Sequence, residues 1–242
     1  MRTRSSGSPG FLVVLLFLFL VIKSSPSILE SEESIKSAES VEQNIGQLMM
    51  NKVLTRIMHE AKNRAAIKAD KTYTVKKYNT HGSVKSEKSE TKTVQGRPKL
   101  EGVSLDIYQI LGSKYDFYID PQESVATVNG TECAVVKFRP KAGLRKGGVA
   151  DEFINRLEGT VYINIEEYYM VKIEGKVPQP FQFTYNLLYV IPIGVDVYRL
   201  DFSAEYQLFN GIVVERYFRG FVDYEVKNRG AEEHIHALTN YR

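Results

Sequence analysis

The chain has 242 residues, a formal net charge of +3, 43% hydrophobic residues and 25% charged residues. Those values exclude an intrinsically disordered chain, and the charge is too small to argue for a nucleic-acid surface. With 15 Tyr, 12 Phe and no Trp, the aromatic usage tilts toward strands, so a folded, sheet-rich protein is expected.

Residues 1–27 carry Arg2 and Arg4, an unbroken apolar run from Phe11 to Ile22, then Lys23 and the small residues Ser24, Ser25 and Ser27. This is the layout of a secretory signal peptide. As a helix the run would cover roughly 18 Å, short of a roughly 30 Å hydrocarbon core, so a spanning anchor is the weaker reading. Cleavage is expected after Ser27, and no cysteine lies near that junction to be lipidated. The next stretch, 28–40, reads ILESEESIKSAES and has too little to bury, so it is expected to be a disordered linker.

From Val41 the apolar residues Ile45, Leu48, Met49, Val53, Leu54, Ile57, Met58 and Ala61 recur at helical spacing behind Ser40 as N-cap. They predict one amphipathic helix of about seven turns ending near Lys68 and lying on a sheet. Beyond it the texture changes to short β-like runs punctuated by Gly, Pro, Asn and Asp. Turns are expected at Thr80-His81-Gly82, at Asp120-Pro121-Gln122-Glu123, at Asn129-Gly130, at Glu166-Glu167 and at Asn210-Gly211. Asn129-Gly130-Thr131 also matches a glycosylation sequon, but a tight turn explains it. From 199 to 208 the alternation is clean: Leu200, Phe202, Ala204, Tyr206 and Leu208 take one face and polar residues the other. The absence of βαβ alternation argues against a parallel α/β fold. Glycines and a short helix interrupt the pattern at 141–156, without the spacing of a phosphate loop.

Candidates for chemistry are few. From Lys68 to Lys99 nine Lys/Arg face only Asp70, Glu87 and Glu90. They read either as the solvated outward positions of a hairpin that guards an edge strand, or as a surface for anionic head groups or an acidic partner. Cys133, the only cysteine, cannot form an internal disulfide and alternates with Val135 on a predicted strand, so it is read as a small buried hydrophobe. His234 and His236 would share a strand face but lack spaced partner ligands, and a solvated pair is expected instead of a metal site. The pairs Glu166-Glu167 and Glu232-Glu233 are placed in turns. No HExxH, GxSxG or CxxC occurs, and no enzyme, metal or cofactor is expected; a hydrolase with dispersed carboxylates is kept as a minority reading.

The stretch YDFYIDPQESVATVNGTECAVVKFRPKAG, followed after a short interruption by FINRLEGTVYINIEEYYMVKIEG, resembles the bacterial outer-membrane lipoprotein-sorting superfamily with its LolA/LolB-like fold. The likeness covers roughly Lys114 to Arg242. It implies a mainly β, α+β architecture: a strongly curved antiparallel sheet, an incomplete barrel, with the long N-terminal helix on its concave face. Residues 41–242 would form that single domain, with about nine or ten strands. The hairpin region Tyr73 to Glu101 is short against the pattern, which implies fewer strands at the start and a shallower cavity. Relatives of known role hold acyl chains of lipids or lipoproteins, so the expected function is that of an exported, periplasmic, monomeric carrier of such chains. The alternative is an envelope interaction module with a filled core and a basic binding hairpin. Candidate lining residues are Phe181, Phe183, Tyr185, Leu200, Phe202, Tyr206 and Phe218, each of which could equally be helix-on-sheet core.

Overall fold

The computed structural model describes residues 39–96, 107–145, 148–187 and 191–242. The leader, most of the expected linker and Lys99 lie outside these. Helix α1 (Glu39–Arg64) is followed by strands β1 (Lys68–Tyr78) and β2 (Val84–Gln95), helix α2 (Ile107–Lys114) and strand β3 (Tyr115–Ile119). After a single 3₁₀ turn at Pro121–Glu123 come β4 (Val125–Val128), β5 (Thr131–Pro140), helix α3 (Val149–Ile154), β6 (Glu158–Asn164) and β7 (Met170–Lys176). The chain closes with β8 (Phe181–Leu187), β9 (Ile191–Phe209), β10 (Ile212–Glu225) and β11 (Arg229–Thr239).

All eleven strands form one antiparallel sheet, ordered β2-β1-β11-β10-β9-β7-β6-β5-β3, with β4 on β5 and β8 on β9. The sheet is curved but does not close into a barrel. This is the expected fold class, with eleven strands where about nine or ten were expected; β1 and β2 of the first hairpin span 11 and 12 residues. The turns follow their residue chemistry. Asn129-Gly130 and Asn210-Gly211 have φ of 51° and 78°, and 51° and 77°, the left-handed pairs that a two-residue hairpin needs. At 164–168 the Asn164 side chain accepts hydrogen bonds from the backbone N–H groups of Glu166 and Glu167 at 3.0 and 2.6 Å.

Helix α1 lies across the concave face. Its stripe of Met50, Val53 and Ile57 is buried against Tyr115, Phe117, Val136, Phe138, Val161, Ile163, Met170, Ile173, Ala204, Tyr206 and Val213. Met49 and Leu54 flank the stripe, whereas Ile45, Leu48 and Met58 are exposed. The buried arc is thus narrower than the apolar periodicity suggested, and Met50 is the contact that it missed. Two local devices fix the helix. Gly46 sits against β3 so closely that a Cβ would stand 2.7 Å from the backbone N and Cα of Tyr118. At the other end β11 pairs with β10 only from Tyr217 onward, and α1 bonds to the start of β10, the turn before it and the β6–β7 turn. Glu60 accepts from the Val213 N–H at 2.9 Å, Arg64 donates to the Val213 carbonyl at 2.7 Å, and Arg56 donates to the Glu167 and Gly211 carbonyls at 2.6 and 3.0 Å. Glu60 also binds both arginines, at 2.6 and 3.0 Å.

Two outcomes test this docking. Gly46→Ala gains up to about 1 kcal/mol of helix propensity, but the new methyl meets backbone that cannot swing away, so urea unfolding should show a net loss of about 1–3 kcal/mol. Glu60→Ala leaves the buried Val213 amide without its acceptor and should lower stability by about 1–3 kcal/mol in the same assay.

Candidate functional site

The concave face is best followed as rows across the strands, because directly opposed residues in an antiparallel sheet point to the same side. One row runs Val136, Val161, Ile173, Ala204, Phe218, His236, Tyr73, Glu90 from β5 to β2. Its chemistry changes along the way: aliphatic under α1, aromatic at β10, titratable at β11, charged at the free hairpin. The neighbouring row runs Phe117, Phe138, Gly159, Gly175, Phe202, Gly220, His234, Val75, Lys88.

The glycines of that second row make room for rings. A Cβ on Gly175 would overlap the Phe202 ring, one on Gly159 would overlap the Glu174 carbonyl oxygen and stand 2.8 Å from the Phe138 ring, and one on Gly220 would stand 3.2 Å from the Phe218 ring. Phe202 and Phe218 therefore lie down on the sheet, stacked with centroids 6.4 Å apart, and Phe218 contacts the His236 ring at 5.4 Å. Both phenylalanines pack at the margin of the core and are only partly buried.

A second apolar cluster lies further along β9, which pairs with β7 through its second half and with β8 through its first. Phe183, Val195, Val197 and Val222 are buried there with Phe153 of α3, and Phe181, Leu200 and Tyr224 pack around them. Phe153 meets Phe181 and Phe183 edge-on, at 5.3 and 5.4 Å, and the Arg156 guanidinium covers Phe181 at 4.7 Å. The seven lining candidates are thus divided. Tyr206 belongs to the core beneath α1, Phe202 and Phe218 to its margin, and Phe181, Phe183 and Leu200 to the second cluster. The Tyr185 backbone pairs with Ile193, and its side chain lies outside the described residues.

On the β1–β11 side the same face carries Glu232, His234, His236, Lys71, Tyr73 and Lys77. Two expectations are corrected here. Glu232 and Glu233 are not in a turn but in β11, with relative exposures of 5% and 7%, and His236 is not solvated but 3% exposed. The cause is the length of β11: pairing with β1 from Ala231 to Thr239 draws these residues between two neighbouring strands. Glu232 accepts Lys77 Nζ at 3.1 Å, and His234 Nδ1 shares a 2.6 Å hydrogen bond with the Tyr73 hydroxyl. Burial, then the charges of Lys71, His234 and Lys92, push the His236 imidazole down to about 3, so it is neutral at neutral pH. Glu233 points to the opposite face. There burial opposes its charge, but the Tyr78 hydroxyl and Arg219 hold it below the usual carboxylate range. The two buried carboxylates therefore do not converge.

No group of three His, Cys, Asp or Glu placed to hold a metal occurs among the described residues. Cys133 is fully buried beneath β4 pairing, its thiol pushed up by burial; that is the inert packing role expected.

No family model and no curated relative matches the chain. Among solved structures, a domain from Vibrio parahaemolyticus named for outer membrane lipoprotein sorting aligns over 80% of this chain and 92% of its own, at 11% identity and a TM-score of 0.35. The MucA/MucB complex of Pseudomonas aeruginosa aligns over 82% and 98%, at 9% identity and a TM-score of 0.27. Likenesses of that strength carry no residue role across.

His236 makes stability depend on pH. Its folded pKa lies below the unfolded value near 6.5, so the unfolded chain binds the extra proton first, and stability is lost as pH falls from about 6.5 toward 3. Chemical denaturation at pH 7 and pH 5 should differ by about 2 kcal/mol from this group. His236→Phe should flatten that interval, whereas an unchanged slope in the variant would assign it elsewhere.

Proposed function

We propose that the protein is an exported, non-catalytic binding protein of the bacterial cell envelope that shelters acyl chains of lipids or lipoproteins against the aromatic part of its concave face. The carrying observation is the partly exposed Phe202–Phe218 stack, which packs at the margin of the core beneath α1 and is followed along β9 by the second cluster of Phe181, Phe183, Leu200 and Val222. Rings laid flat on glycines offer an apolar surface at little depth. Each methylene withdrawn from water there contributes about 0.8 kcal/mol, enough to hold a chain without catalysis. The leader at 1–27 and the sequence resemblance support export to the periplasm, and the division of the concave face into two clusters is what supports a seat for the chain in the β8–β10 region.

A second reading is an interaction module of the envelope. It is favoured by the filled region under α1, where Met50 and Val53 are 0% exposed.

Native mass spectrometry of protein purified from a bacterial envelope, followed by lipid extraction, separates the two. The carrier reading expects an acyl-bearing adduct that Phe202→Asp weakens at least about tenfold, the loss of a few buried methylenes, while circular dichroism stays unchanged. A clean apo mass that persists after incubation with phospholipids and lipopeptides transfers the assignment to the interaction module.

A further inference from the structure

Strand β2 ends the sheet on the side opposite β3, and among the described residues nothing pairs with its outer edge. From Val84 to Thr93 every residue is exposed. A bare edge of that length is an aggregation hazard that proteins blunt with charge. A guard made only of lysines would repel a second copy in any alignment. The sequence of β2, VKSEKSETKTVQ, is not such a guard, because its charges alternate in sign.

We propose that β2 is a homodimer interface, in which two copies pair edge to edge, antiparallel, about a twofold axis passing by Ser89. A twofold perpendicular to the sheet keeps the concave faces on one side, so each residue faces one of the same parity, and the axis must pass beside a residue. Centring it on Glu87, Lys88 or Glu90 sets that charge against its own copy, and the last of these also opposes Lys88 to Lys92. Centring on Ser86 engages only 84–88. Centring on Thr91 engages 87–95 and pairs Glu90 with Lys92. Centring on Ser89 engages 84–94, pairs Lys88 with the partner's Glu90 twice, and sets Val84 against Val94, with no like charges opposed. Favourable cross-strand pairs of this kind select a register.

The hairpin itself leaves these charges for the partner. Within one copy Lys88 and Glu90 lie opposite Val75 and Tyr73, which carry no charge, while Glu87 is already within 3.9 Å of Lys76. The paired edge would join the two curved sheets into one, with both aromatic faces on the same side. It would also end the exposure of the unpaired β2 backbone.

Sedimentation velocity of the full protein over a range of concentration and salt tests the interface. The expectation is a dimer that weakens with salt, loses at least about tenfold in affinity in Lys88→Glu or Glu90→Lys, where two like pairs replace two favourable ones, and recovers in the K88E/E90K double variant, which is self-complementary again. Ser89→Cys should form an intermolecular disulfide under mild oxidation, since residue 89 meets its own copy. A monomer at all concentrations overturns the proposal, as does a dimer indifferent to both single reversals. Binding of the monomer to phosphatidylglycerol vesicles that is lost in Lys88→Glu would assign the edge to a membrane and overturn it equally. None of these outcomes depends on the acyl-binding reading, because Phe202→Asp should leave the dimer intact.

Discussion

The pairing of β9 with β10 is the contact on which the rest of the molecule depends. Nineteen residues of β9 give it two successive partners on one side, β8 and then β7, while β10 accompanies both halves on the other. Both apolar clusters therefore hang from one strand: Ala204 and Tyr206 enter the core beneath α1, and Val195 and Val197 enter the cluster beneath α3. The pairing includes two irregularities, at Glu215/Tyr217 and Asp223/Tyr224. Such bulges add twist and bend a strand, which suits a sheet that must wrap around a helix.

A bent sheet makes its two ends chemically unlike. Where α1 lies, opposed residues are aliphatic in one row, aromatic at Phe117 and Phe138 in the next, and buried in both. Beyond them one row continues through Phe218 into His236 and Tyr73, the next through Phe202 into His234, and Glu232 lies in the row after that; His236 and Glu232 are buried and Tyr73 is partly buried. Buried titratable groups of this kind are costly unless paired, and the bonds from Lys77 to Glu232 and from Tyr73 to His234 offset that cost. On the outer face Arg219 joins Asp201 and Glu233, and the latter also accepts from Tyr78. The strands from β9 to β1 are thus tied by polar bridges where the helix no longer holds them.

Much of this was legible in local pattern. The helix length, the Asn-Gly turns, the acidic turn at 166–167 and the split faces of 199–208 each follow from short-range rules, because helix period, φ > 0 residues and strand alternation act within a few residues. Reading Glu232-Glu233 as a turn failed because adjacent acids are commonly solvated, and nothing nearby revealed that Tyr78 and Arg219 would meet one of them and Lys77 the other. Met50 was missed because Met49 fitted the same stripe, and the choice between them depends on the angle at which α1 crosses the sheet.

The sequence by itself determined the long N-terminal helix, the Asn-Gly turns, the dry and wet faces of β9, and the burial of Cys133, since these express side-chain period and hydrophobicity along a single segment. Only the tertiary structure decided that the aromatic candidates divide between two clusters and that three glycines align across β6, β7 and β10 under the rings of Phe138, Phe202 and Phe218. It also decided that His236 is dry. The physical reason is register: which residues oppose one another is set by pairings between strands distant in the chain, and a shift of one residue would turn every one of these side chains to the other face.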